Sequence, residues 1–429
     1  MNAANKDGAK WPYASWETAA ADINVAYDTL IWAEGVAPEF IVTNGTYEVK
    51  SKWLMLKNAI TLRSVEGPSK TILKAANPEA TDKRRVLYMN HPDAWVEGFN
   101  LNAANWQGWA YGDSGAGALR LEAGTVTNCI ISGSQGQVDC SGGAEIKGGL
   151  LTHTVIRGNT ANQGSSSGST ANGGGLRVSG GIVEYCVITN NYINKYNAGT
   201  SYSKGGGLYV CGADAIVRNC VIADNYCTWQ SGDGNRDFEG SQVWVSSGLL
   251  ENCTIGDMKH GNVYASGVYQ SGGTIRNCLL KGMYSANAVQ ALKVAGGSFY
   301  NNTVVTNGFG KSVNAAPVAA EVTGGEVVNC IFAANAGAVK DESGLVRNSC
   351  YPEADGARGN LAADPKLRKP ACGDWRLVGG SPCVNAGDAK VWEGETNPTD
   401  FLGQPRIRSR KVDMGCYECQ TGGMMLIVR

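Results

Sequence analysis

A chain of 429 residues with 37 basic against 38 acidic side chains has a formal net charge of −1, so no global basic field exists to hold nucleic acid or an anionic membrane. Gly stands at 58 and Pro at 12, with 17% charged residues, which excludes collagen and Pro-rich disorder and points to short strands joined by tight turns. Three isolated histidines, His91, His153 and His260, argue against a histidine metal centre, and no run approaches the roughly 18 apolar residues that span a bilayer.

The opening, MNAANKDGAKWPY, lacks the apolar core of a secretory signal. It reads as a chain whose signal has been removed, or as a piece of a longer protein. Residues 12–31 predict a helix capped by Ser15, with Trp16, Ala20, Ile23 and Tyr27 on one apolar face. Segments 40–49, 53–65 and 70–76 predict strands, with turn signals at Asn44-Gly45 and Glu66-Gly67-Pro68. The chain divides into an N-terminal capping segment with its helix (1–39), a repetitive body (40–350) and a C-terminal cap (351–429).

The body is built on one sentence, best seen at 205–222 as GGGLYVCGADAIVRNCVI. Aligned on the Cys position, its copies fall at Phe99, Cys129, Thr154, Cys186, Cys220, Cys253, Cys278, Thr303 and Cys330, at intervals of 30, 25, 32, 34, 33, 25, 25 and 27 residues. A helix-free unit of 25 residues predicts a coil of a β-solenoid, since a propeller blade needs about 40–50. Stacked about 4.8 Å apart, such coils would make a rod roughly 40 Å long. The recurrent cysteines read as stacked, buried, small apolar side chains. Asn128, Asn219, Asn252, Asn277, Asn302 and Asn329 read as turn residues whose amides bond up and down the stack. Cys372, Cys383, Cys416 and Cys419 near the C-terminus are disulfide candidates, with the pairing open.

Residues in excess of 25 fall after the second strand of each copy and before its Gly-rich strand, at about 102–116, 159–172, 190–204, 224–240 and 306–316. Insertions at one repeat position emerge on one side of a solenoid. Beside them, period two in the Gly-rich strand turns Leu208 and Val210 inward and Tyr209 outward. Applied to every copy, the rule predicts a surface column of Tyr88, Arg120, Glu145, Arg177, Tyr209, Trp244, Tyr269, Lys293 and Glu321.

The NC-(I/V/L) turns and GGG strand starts resemble the right-handed parallel β-helix proteins of the pectate-lyase-like superfamily. The opening SWETAAADIN…IVTNGTYEV and the close DP…DWRL…GSP…NAGD…TD..G.PR…VD.G.YE resemble a group of bacterial secreted or surface proteins with a C-terminal anchoring-type cap (choice-of-anchor). The closing positions here are Asp364-Pro365, Asp374 to Leu377, Gly380-Ser381-Pro382, Asn385 to Asp388, Thr399-Asp400, Gly403, Pro405-Arg406, Asp413, Gly415, Tyr417 and Glu418. The resemblance implies an all-β, right-handed parallel β-helix, extracellular or at the cell surface. In its enzymes it implies cleavage of acidic polysaccharides by an Arg or Lys base, with Ca²⁺ held by clustered carboxylates.

Three functions follow as expectations. The first is a monomeric rod or adhesin binding a polysaccharide or glycan through an aromatic groove of Tyr209, Trp244 and Tyr269, flanked by Trp106, Trp109, Tyr226 and Trp229 and by Tyr192, Tyr196 and Tyr202. The second is a polysaccharide lyase or glycoside hydrolase with Arg120, Glu145, Arg177 and Lys293 as candidates by position. Glu145, between two arginines, better suits an ion-pair ladder than a general acid. No cofactor is expected beyond Ca²⁺, for which Asp233 and Asp237 in GDGNRDFEG, with Asp113 and Asp224, are the loop candidates. The third is a structural spacer without a ligand.

Overall fold

Each repeat folds into one turn of a right-handed parallel β-helix. The computed structural model describes residues 1–5, 7–10, 13–29, 37–50, 53–76, 85–103, 117–136, 140–162, 170–195, 203–229, 238–258, 266–285, 290–309 and 318–419. In the coil that begins at the glycine run, a leading strand Leu208–Val210 is followed by a middle strand Ile216–Arg218, a trailing strand Val221–Ala223 and a short fourth strand Tyr226–Trp229. Leading and middle strands stack in an 18-stranded sheet, trailing strands in an 11-stranded sheet and fourth strands in a 4-stranded one. Neighbouring coils pair in parallel and in register, as Leu176, Leu208 and Val243 do. Apolar side chains from each wall, such as Leu208, Val210, Val217 and Ile222, fill the interior. The buried face is continuous along the stack, which is how short strands that could not bury a core alone become stable.

The glycines that lead into these strands are there for contact between backbones. A Cβ at Gly206 would lie 2.2 Å from the Ser241 carbonyl oxygen, and one at Gly174 would lie 2.0 Å from that of Gly206.

Asn219-Cys220 is a corner between the strands Ile216–Arg218 and Val221–Ala223. Asn128, Asn219, Asn252, Asn277, Asn301 and Asn329 all hold φ between 48° and 54°, the left-handed region that Asn enters at lower cost than most residues. The register corrects one copy: Leu280 pairs with Val304, so Asn302, and not Thr303, occupies the Cys position and Asn301 the corner. Bonding along the stack between these corner amides is seen from Asn329 to Asn301, at 3.1 Å. The extended amide ladder lies one corner later. Asn159 donates to Asn191 at 2.9 Å, Asn191 to Asn225 at 3.0 Å, and Asn225 to Gln242 at 3.1 Å. Each of these asparagines also donates to a carbonyl of the preceding coil, at Ile131, Ile156 and Ile188, and all are buried. The column thiols are buried as expected, and each donates to the carbonyl two residues back, as Cys220 does to Arg218 at 3.2 Å.

The N-terminal helix is shorter than its apolar spacing predicts. It spans Ile23–Asp28, and Asp22, not Ser15, caps it by accepting from the Asn24 and Val25 amides. The preceding carbonyls are taken by the N-terminus: Asn2 donates its amide to Ala20, and the Asn5 side chain donates to Glu17 and Ala19. Ser15 and Thr18 close a turn instead. Trp16 is consequently 46% exposed, while Ala20, Ile23 and Ala26 cover the first coil.

At the other end, Val339, Val346 and Tyr351 close the core, Tyr351 standing edge-on to Phe332. The segment beyond Leu361 does something different and lies along the flank of the last coils. Trp375, Cys416 and Tyr417 cover Leu279 and Val305, and Leu377, Cys383 and Met414 cover Ile331. Three successive Asn corners bond sideways to it. Asn277 donates to Thr399, Asn301 to Asp413 and Asn329 to Asp388. At its centre Arg406 is fully buried, paired to Glu418 at 2.8 Å and donating to the Gly415 and Cys416 carbonyls and to Asn277. The Asp400 carboxylate accepts from the Leu402, Gln404 and Glu418 amides.

Candidate functional site

Every residue of the surface column lies beside its neighbour in the stack. Tyr88, Arg120, Glu145, Arg177, Tyr209, Trp244, Tyr269, Lys293 and Glu321 pair in unbroken register. Met55 extends the column at one end and Lys340 at the other. Leading-strand parity alone puts these side chains outside the coil.

Outside the coil is not the same as open to solvent. Tyr209 and Trp244 are each only 7% exposed, whereas Tyr269 is half-buried. The rings meet edge to face, Tyr209 and Trp244 with centroids 6.3 Å apart at 76°, Trp244 and Tyr269 4.5 Å apart at 90°. This geometry matches the positive edge of one ring to the negative face of the next. Lys204 places its Nζ 5.3 Å from the Tyr209 ring and 5.6 Å from that of Trp244. The polar tips are also engaged, since Trp244 Nε1 donates to Ser271 and the Tyr209 hydroxyl accepts from Ser246. Tyr209 and Trp244 therefore form the floor of the face rather than a free stacking shelf.

The cations of the column are held by carboxylates. Lys293 Nζ lies 5.5 Å from the Tyr269 ring and 3.0 Å from Glu239, whose other oxygen accepts from Ser266 at 2.8 Å. Burial alone would lower the Lys293 ammonium, but Glu239 outweighs it and holds the group above its ordinary value. Arg177 is likewise opposed by burial and raised by Cys211 and Glu145, with Glu145 Oε1 at 3.4 Å and the Glu145 side chain 4% exposed. Arg120 forks onto Glu122 of its own strand, with Nε at 2.9 Å and Nη2 at 2.7 Å, and Tyr88 donates to the same carboxylate at 2.6 Å. The ion-pair ladder thus recruits Glu122 as well as Glu145.

Lys204, Glu239, Glu122 and Cys211 were not legible as site residues. Lys204 and Glu239 do share a signal: each immediately precedes the residues that open a leading strand, and the two pair in register, with Asn172 next in line. Tyr226 stands apart in the fourth-strand sheet, stacked on Tyr192 at 4.9 Å and 5°. Trp229 lies on that strand, its side chain outside the described residues, as are Trp106, Trp109, Asp113, Tyr196, Tyr202, Asp233 and Asp237. Among the described residues no three His, Cys, Asp or Glu side chains converge on a metal position. The Ca²⁺ that the resemblance implies finds no fitting ligand set there.

No family model matches the chain and no curated protein matches its sequence. Among solved structures it is similar to the pectate lyase Pel9A, at 13% identity and a TM-score of 0.46 over 97% of this chain and 95% of that one. It is also similar to the PL6 family alginate lyase AlyGC, at 15% identity and a TM-score of 0.41 over 81% of this chain and 53% of that one. The A-module of the Azotobacter vinelandii mannuronan C-5 epimerase AlgE4 is similar at 13% identity and a TM-score of 0.36, over 72% and 90% of the two chains. Likeness at this level assigns no activity. The pairing of the strands themselves makes this chain a parallel β-helix protein with a cation-edged aromatic column on its leading face.

Proposed function

We propose that the leading face binds a glycan, and that the protein does so as a monomeric rod or adhesin, secreted or at the cell surface. The observation that carries this reading is the run of three rings in consecutive coils, Tyr209, Trp244 and Tyr269, between the cations Arg177 and Lys293. Aromatic side chains offer apolar area at low entropic cost, and the partly exposed Lys293 and Glu239 heads supply hydrogen bonds for hydroxyls or carboxylates. Binding would centre on the half-buried Tyr269 end, where ring and polar heads meet solvent together. A glycan array tests it. Retention on at least one glycan is expected, with affinity falling about tenfold or more in Tyr269→Ala, by the usual worth of an aromatic contact. Trp244→Ala should also weaken retention by removing the floor. No retention across a broad panel would sink the proposal and leave a structural spacer.

Cleavage is the second reading, because Arg177 and Lys293 stand at the two ends of the aromatic run. A base must be able to give up its proton near neutral pH, and both cations are held in their charged form, which favours binding. The assay is direct: pectins, alginate and glycosaminoglycans are offered with Ca²⁺, and unsaturated ends absorbing in the ultraviolet are sought. Their appearance would replace binding with lyase activity.

A further inference from the structure

Six of the fourteen cysteines pack in one interior column. Cys129, Cys186, Cys220, Cys253, Cys278 and Cys330 stand inside the coil and point the same way. Their spacing follows the ladder at about 4.8 Å, beyond the roughly 3.5–4.5 Å between Cβ atoms that a disulfide takes. Cys350 does not belong to that column. It bridges to Ile331 and Leu361, so Ser349 takes the interior position and Cys350 the next, outward one, beneath the C-terminal segment. Cys383 comes from that segment. Both cysteines are fully buried and share one apolar cluster with Ile331, Leu377 and Met414. The Cys350 thiol donates to the Ala363 carbonyl at 3.1 Å, from the stretch that leads into that segment.

The backbone on both sides is already fixed for this contact. Cys350 donates its amide to the Cys330 carbonyl and accepts from the Phe332 amide. The Cys383 amide donates to Ser381, and its carbonyl accepts from Met414 at 3.0 Å. These two side chains belong to different segments that no common ladder holds apart.

We propose that Cys350 and Cys383 are joined as a disulfide that staples the flanking C-terminal segment to the last coil, formed by exchange with a low-molecular-weight organic disulfide. The thiolate of one cysteine attacks that disulfide, forming a mixed disulfide and releasing one small thiolate. The second cysteine thiolate then attacks the protein sulfur of the mixed disulfide, the protein S–S bond forms and the second small thiolate leaves. The two cysteines lose two electrons to the reagent, and their two protons end on the two released thiols. Burial of both sulfurs in the finished fold places the exchange during folding and shields the product from later reduction.

The test is peptide mapping of the full chain refolded in a mixture of reduced and oxidised glutathione, then alkylated under denaturing conditions and digested without reductant. The expected product is a linked peptide containing Cys350 and Cys383, with neither alkylated until reductant is added. Limited proteolysis should free the C-terminal segment at least about tenfold faster from the reduced protein, since the staple holds it in place. Cys383→Ser should abolish the linked peptide and leave Cys350 open to alkylation. Alkylation of Cys350 in the wild-type chain without reductant, or linkage of Cys383 to Cys372, Cys416 or Cys419, would overturn the proposal. The wild-type map alone decides this should the variant not fold.

Discussion

Asparagine does two separate jobs in this molecule, one at each of two corners. At the Asn219 corner the requirement is a left-handed backbone, with φ at 54°. At the Asn225 corner it is a buried amide that donates to Ile188, Ala223 and Gln242 and accepts from Asn191. The two should respond differently to substitution. Asn219→Gly is expected to be neutral within about 0.5 kcal/mol, because glycine reaches positive φ freely. Asn225→Ala should cost roughly 2–3 kcal/mol, since it strands buried partners in the ladder. Urea unfolding of the two variants checks the contrast, and equal losses would contradict it. The sequence showed Asn before five of the six column cysteines, with Tyr185 before Cys186, and suggested one residue with both jobs. Spacing locates a turn, but it does not reveal which corner directs its side chain inward.

At the scale of the strand, the leading face was legible almost in full. A period of two fixes which side chains leave the coil, and Gly-Gly marks the start of three leading strands, at Ala144, Leu176 and Leu208. What period two could not give is exposure, because the cover over Tyr209 and Trp244 includes Lys204, which arrives from the preceding connection. Spacing also overestimated the helix, whose first predicted turns lose their carbonyls to Asn2 and Asn5. The glycine run permits a sharper test. Gly206→Ala forces a methyl against the Ser241 and Tyr226 carbonyls, so it should destabilise by about 1–3 kcal/mol. Thermal unfolding reads the effect, and an unchanged midpoint would show that neighbouring coils can part at no cost.

Over the whole molecule, the C-terminal segment is where the motif residues of the close converge. Arg406, Asp413 and Glu418 form a buried group that binds the segment to the Asn277 corner and to itself. Burial pushes Glu418 up to about 7 against the opposing pull of Arg406, and burial raises Asp413 as well. A carboxyl whose value rises on folding contributes stability that is fully present below its unfolded value, about 4.5 for Glu418, and that contribution is lost as pH climbs through the folded value. The unfolding midpoint should therefore fall between about pH 4.5 and 7, and Glu418→Gln should flatten that dependence. A midpoint that rises through the same window in the wild-type chain would contradict the assignment.

By itself the sequence determined the repeat, the parallel stack and the nine-residue column from Tyr88 to Glu321 on the leading face. These depend on local periods of two and about 25, which a solenoid converts directly into neighbours. The tertiary structure alone decided which outward side chains are covered, which Asn corner carries the amide ladder, and that the closing motif lies along the flank. It also decided that Cys350 meets Cys383. Each of these is a contact between segments that no repeat period relates, and only the folded chain brings them together.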